Sequence, residues 1–160
     1  MSNIMGLDLS LCVTGLVVVT DKDEILDKVL IESSSKEENT PRLVGINTKI
    51  MKLVKKYNPQ LVVIEGPAFG IGKTTSLFQL GELSGILKAN LYAINQTFRI
   101  VPPTTLKKWA TGKGNAPKNI MILQIYKKFG VEFADDNLCD AYALAKYGFQ
   151  FIDPKLKRRK

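Results

Sequence analysis

Apolar residues recur along this chain in two rhythms. Short apolar runs come first: Asn3-Ile4-Met5-Gly6-Leu7-Asp8, then Leu16-Val17-Val18-Val19-Thr20, then residues 24–32 with Ile25, Val29 and Leu30. Runs of this kind, bounded by turn residues, read as strands, with Thr14-Gly15 and Asp21-Lys22-Asp23 as the turns. The three predict an antiparallel meander. A polar stretch from Ser33 to Thr40 follows, and the rhythm changes. Leu43, Ile46, Ile50, Leu53, Val54 and Tyr57 repeat at helical spacing. Thr40-Pro41 suits the start of that helix and Asn58-Pro59 its stop.

Residues 60–65 form a fourth predicted strand. A loop from Gly66 to Lys73 leads to a helix over 74–94, carrying Leu77, Leu80, Leu83, Ile86, Leu87 and Leu91. Phe98-Arg99-Ile100-Val101 reads as a fifth strand, closed by Pro102-Pro103. A short helix at 104–110, the stretch Gly112-Lys113-Gly114-Asn115, and helices over 117–129 and 137–151 complete the chain. The order is βββαβαβαα, with the short helix ahead of the last two. It predicts an α/β fold in which a mixed five-stranded sheet is flanked by helices. No repeat or linker divides residues 1–152, which are read as one domain ahead of a basic tail at 153–160.

Two of these strands end in a carboxylate, Asp8 and Glu65. Acids at the ends of neighbouring strands repel unless a cation lies between them or one stays protonated. With Asp136 and Asp140 added, the economical reading is an all-oxygen site for Mg²⁺. Two such ions drive in-line attack on a phosphodiester.

Composition narrows the chemistry further. The chain has 160 residues and no histidine, which argues against a zinc site or a Ser-His-Asp triad. Cys12 and Cys139 form no CxxC and read as reduced, buried small residues. No apolar stretch is long enough to span a membrane, and Met1-Ser2-Asn3 lacks the basic start of a signal peptide, so a cytoplasmic protein is expected. The net charge of +8 favours a polyanionic partner. Lys155, Lys157, Arg158, Arg159 and Lys160 supply five of those eight units, an arrangement that adds salt-sensitive, sequence-independent attraction to nucleic acid.

Four segments in order carry a family resemblance. They are Gly6-Leu7-Asp8-Leu9-Ser10 with Thr14-Gly15, then Val63-Ile64-Glu65, then Val101-Pro102-Pro103 with Lys107-Lys108 and Gly112 to Lys118, then Asp136 with Asp140-Ala141. Together they resemble the RuvC family of Holliday junction resolvases, across about residues 4–148. The resemblance implies a ribonuclease H-like fold, Mg²⁺ with Mn²⁺ as a substitute, branched DNA as substrate, a homodimer, and no nucleotide cofactor. It implies hydrolysis that leaves a 5′ phosphate and a 3′ hydroxyl. Asp8, Glu65 and Asp140 match the family's first-strand, fourth-strand and last-helix acids. The family's remaining acid falls on Asn137, where this sequence departs from the pattern. Asp136 lies one residue earlier, on the face of Asp140. Either Asp136 supplies the missing carboxylate, the reading favoured here, or Asn137 contributes a carbonyl oxygen. Asp136 equally suits the N-cap of the last helix.

The same resemblance puts Lys107 and Lys118 near the scissile strand, with Lys113 in the same basic stretch. Phe69 matches an aromatic wedge that stacks on a base at the branch point, and Lys73, carried by the same predicted loop, is read as a phosphate contact. The bland alternatives are solvated lysines and a Phe69 packed on the sheet. Trp109 reads as packing. The leucine-rich helix at 74–94 matches the family's dimer helix, or else is buried within one chain.

Three rivals remain in view. Gly70-Ile71-Gly72-Lys73-Thr74-Thr75 has P-loop context, but Pro67 stands where that motif needs glycine. The same fold also serves nucleases of structured RNA or flap DNA. A non-catalytic junction-binding module would leave the acids unexplained, because free carboxylates repel DNA. Either a phage or a bacterium could encode such a chain.

Overall fold

The first predicted strand is the middle of the sheet. The computed structural model describes residues 2–66 and 74–152. Its elements are β1 (Asn3–Asp8), β2 (Val13–Thr20), β3 (Ile25–Glu32), α1 (Asn39–Tyr57), β4 (Leu61–Glu65), α2 (Thr74–Ala93), β5 (Phe98–Val101), α3 (Pro103–Thr111), α4 (Lys118–Phe129) and α5 (Asp136–Ile152). The sheet order is β3-β2-β1-β4-β5. β1, β2 and β3 form the predicted antiparallel meander, while β4 and β5 run parallel to β1. This is the mixed five-stranded sheet of the ribonuclease H-like fold.

Period-two alternation sends side chains to both faces, and both are covered. On one face Ile4, Val17, Val19, Leu61 and Val63 pack against Ala141, Leu144 and Ala145 of α5, with α3 and α4 outside. On the other, Met5, Leu7, Leu16, Val18, Val62 and Ile64 meet Leu43, Ile46, Ile50 and Val54 of α1 and Leu83, Leu87 and Leu91 of α2. Each such side chain contributes about 1.5–3 kcal/mol by leaving water.

Helix α5 lies unusually close to β1. A Cβ on Gly6 would fall 1.8 Å from the Ala141 carbonyl oxygen, and one on Gly148 2.7 Å from Val63 Cγ2. These glycines let the helix backbone settle on the strand, which carries Asp140 toward the end of β1.

Two expectations fail. Thr14-Gly15 is not a turn; both residues lie inside β2, with Gly15 opposite Asp8. The connection is Leu9–Cys12, closed by Thr14 Oγ1, which donates to the Ser10 carbonyl at 2.7 Å and accepts from its N–H at 3.1 Å. Gly15 is small because α5 passes over it: a Cβ there would lie 2.2 Å from the Asn137 carbonyl oxygen. Cys12 is exposed, since it sits in that connection, whereas Cys139 is buried as expected.

Candidate active site

The parallel register Leu7↔Ile64 places the next residues of β1 and β4, Asp8 and Glu65, side by side at the strand ends. Asp8 is only 8% exposed, and Glu65 is half-buried. Burial pushes Asp8 up to about 6, with the Asp140 charge adding to it. Burial also pushes Glu65 up to about 8, with Asp8 as the next cause. Their side chains share a hydrogen bond that favours the charged form of Asp8 and the neutral form of Glu65.

Asp140 comes in from α5, its side chain 14% exposed and 3.2 Å from Lys118 Nζ. Burial raises its pKa and Lys118 opposes the shift. Lys118 Nζ also lies 3.7 Å from Asp136 Oδ2, but that carboxylate is 58% exposed and stands at the rim. Lys107 is near enough to bear on the charge of Asp140. Lys113 is exposed, and its N–H donates to Thr111 Oγ1 at 3.1 Å. Phe69 and Lys73, and the P-loop-like segment up to Lys73, lie outside the described residues.

The helix cap falls on a residue that sequence reasoning passed over. Asp135 Oδ1 accepts from the Asn137 N–H at 2.8 Å, so Asp135 caps α5 and Asp136 does not. Asp135 also raises the pKa of Asp8 through its charge. The run Asp135-Asp136-Asn137 offers three residues suited to a cap, and local preference alone does not choose among them. Asn137 rests on Gly15, the cross-strand neighbour of Asp8.

Among the described residues no three acids or thiols converge closely enough to make a closed cation nest. The acids meet as the Asp8–Glu65 pair, with Asp140 beside it and paired to Lys118. The donor set is nonetheless of one chemical kind. Burial pushes the neighbouring Cys139 thiol up to about 12, so it stays protonated and offers no soft ligand. What remains is carboxylate oxygen, which suits a hard divalent cation such as Mg²⁺ or Mn²⁺.

A family model described as crossover junction endodeoxyribonuclease RuvC matches residues 4–146. The chain belongs to the RuvC family. A relative named crossover junction endodeoxyribonuclease RuvC, from Brachyspira hyodysenteriae, is 30% identical over 144 residues, 88% of this chain and 89% of the relative. One of the same name from Rickettsia conorii is 33% identical over 125 residues, 76% of this chain and 79% of the relative. Among solved structures, Thermus thermophilus RuvC in complex with a Holliday junction substrate superposes with a TM-score of 0.83 at 20% identity, covering 98% of each chain. The Fowlpox virus resolvase in complex with Holliday junction DNA has a TM-score of 0.60 at 12% identity, covering 92% of this chain and 99% of that one. These structures share the fold. RuvC-family membership removes the nucleotide-binding rival as a description of the whole chain.

Elsewhere, Trp109 packs against Phe129 and Tyr147, as a structural residue. On α2, Leu83, Leu87 and Leu91 are buried, but Phe78 is 71% and Tyr92 81% exposed. Intramolecular burial therefore uses only one stripe of this helix. No described helix is long and apolar enough to cross a membrane.

Proposed function

We propose that this chain is a Mg²⁺-dependent endonuclease that resolves Holliday junctions and other branched DNA by paired nicks. It works as a homodimer in the cytoplasm of a bacterial cell or of a phage's host. The observation that carries the reading is the approach of Asp8, Glu65 and Asp140 at one end of β1 and β4, with Lys118 on Asp140, in a chain of the RuvC family. The junction DNA in the complexes of Thermus RuvC and the Fowlpox resolvase supports the choice of substrate.

Asp8, Glu65 and Asp140 would hold the metal, with Asp136 completing the set and Asn137 as the alternative. Bound Mg²⁺, or Mn²⁺ in its place, supplies Lewis-acid activation of water and of the scissile phosphate. As a ligand, Glu65 would act in its carboxylate form. Asp8 keeps its carboxylate facing Glu65 because β1 and β4 are locked in register. Lys118 neutralises charge developing on phosphate oxygens. Lys107 and Lys113 extend the basic surface along the backbone. Between β4 and α2 in sequence, Phe69 stacks on a base at the branch point, worth about 1–3 kcal/mol, and Lys73 contacts a phosphate. The products are a 5′ phosphate and a 3′ hydroxyl.

The exposed side of α2, with Leu77, Phe78 and Tyr92, is the surface that pairs two protomers, placing two sites on two symmetric strands. Residues 1–152 act as one nuclease domain, and the tail at 153–160 adds non-specific attraction to DNA. The test is a labelled four-way junction incubated with Mg²⁺, wild type beside Glu65→Gln. Paired nicks from wild type, and binding without nicks from the variant, are expected. Binding without nicks from both would leave a junction-binding module, and preference for structured RNA or flap DNA would move the substrate class.

A further inference from the structure

Arg42 of α1 is a buried charge without a charged partner among the described residues. It is 6% exposed, and no carboxylate pairs with it among the described residues. Its Nε donates to Ser33 Oγ at 2.9 Å, and its Nη2 to the Leu11 carbonyl at 2.5 Å. A guanidinium buried against neutral acceptors alone gives up hydration that no ion pair restores. Its placement calls for a reason beyond packing.

Nη2 reaches the Leu9–Cys12 connection that runs from Asp8 into β2 directly, through the Leu11 carbonyl and, at 3.8 Å, Cys12 Sγ, and Nε reaches it through Ser33. Ser33 Oγ, while accepting from Arg42, itself donates to the Leu11 carbonyl. The Ser33 N–H donates to the Cys12 carbonyl at 2.9 Å. Cys12 N–H donates to Ser10 Oγ at 3.2 Å, and Thr14 Oγ1 holds both backbone groups of Ser10. The ladder pair bordering the connection is Asp8↔Gly15. A segment this short has no slack, so a shift at Leu11 reaches Asp8 directly.

We infer that Arg42 is a positioning residue: its guanidinium clamps the Leu9–Cys12 connection and thereby fixes the Asp8 carboxylate against Glu65. The inference rests on the resolvase reading and adds to it a residue that touches neither substrate nor metal. Arginine is needed because its planar fork reaches a hydroxyl and a carbonyl together, whereas lysine offers a single point donor.

The test compares wild type, Arg42→Met, Arg42→Lys and Ser33→Ala in three readouts. These are single-turnover nicking of a pre-bound four-way junction in Mg²⁺, junction affinity, and amide hydrogen exchange of residues 9–13 against that of α5. For Arg42→Met, nicking should slow about 10- to 100-fold while junction affinity holds within about twofold, as expected of a misplaced reacting group. Exchange in residues 9–13 should rise about tenfold with α5 unchanged. Arg42→Lys should recover part of the rate. Ser33→Ala removes the hydroxyl shared by the clamp, and it carries the same test if Arg42→Met does not fold. Faster exchange with nicking unchanged would overturn the inference. So would equal losses of rate and junction affinity, which mark a general structural effect. Wild type that binds the junction and never nicks it sinks the resolvase reading, and this one with it.

Discussion

The β1–β4 pair has two ends of opposite character. At the start of the strands lies an open polar cleft of about 410 Å³, lined by Ser2, Asn3, Asn58, Gln60, Asn95 and Thr97, among others, with no charged side chain. Its groups are held by neutral hydrogen bonds: Asn3 Nδ2 donates to the Tyr57 carbonyl at 3.1 Å, and Gln96 Nε2 to the Pro59 carbonyl at 2.8 Å. Asn58 and Asn95 take left-handed conformations that asparagine tolerates. Asn3 Oδ1 is left without a partner, the loss of one neutral acceptor. Five residues beyond Asn3 and Gln60, Asp8 is buried and Glu65 half-buried, burial pushes both pKa values up, and Lys118, paired with Asp140, bears on both. One end is a structural seam. The other gathers acids that folding alone does not require, and the proposed chemistry gives a reason to keep them.

The comparison breaks most visibly in catalysis. Asp8→Asn and Asp140→Asn should each lower junction cleavage by about 10³-fold or more while binding persists, measured by single-turnover nicking and gel shift. Cleavage that survived either change would remove that acid from the site. Next in size, Lys118→Met should slow nicking about 10²-fold, the cost of losing one stabiliser of phosphate charge. Asp136→Asn beside Asn137→Ala would show which of the two completes the acid set.

Stability should also tell the two ends apart. Native pKa values near 6 and 8 for Asp8 and Glu65 lie above the ordinary 3.8 and 4.5. The native state therefore binds these protons more tightly than the unfolded chain. Their contribution is fully present below about pH 4 and is lost as pH rises through about 8, a change on the order of a few kcal/mol. Melting curves in a chelator should fall over that window, and Glu65→Gln should flatten the fall. At the seam the effect is smallest and of a different kind. Asn3→Ala should cost about 1–2 kcal/mol of stability at every pH and leave nicking unchanged, by denaturant titration and junction assay together.

Much of this was readable in the residues, and the reasons are local. An apolar run closed by an acid marks both β1 with Asp8 and β4 with Glu65, and the helical spacing before Asn58 marks α1. What escaped was set by distant contacts. Gly15 looks like a turn residue until the carbonyl of Asn137 is seen passing over it. Asp136 suits an N-cap as well as Asp135 does, and only the geometry of α5 gives the cap to Asp135. Lys118 and Asp140 are joined by the packing of α4 beside α5, which no spacing encodes. Nor does anything near Arg42 in sequence announce a buried guanidinium.

The most direct test of the central claim is calorimetric titration of Mg²⁺ into wild type and Glu65→Gln at pH 7, in two buffers of different ionisation enthalpy. A Glu65 that holds its proton until a cation arrives predicts binding by wild type with release of up to about one proton, and weaker binding without release by the variant. Identical binding by the two proteins, or binding by wild type with no proton released, would contradict it.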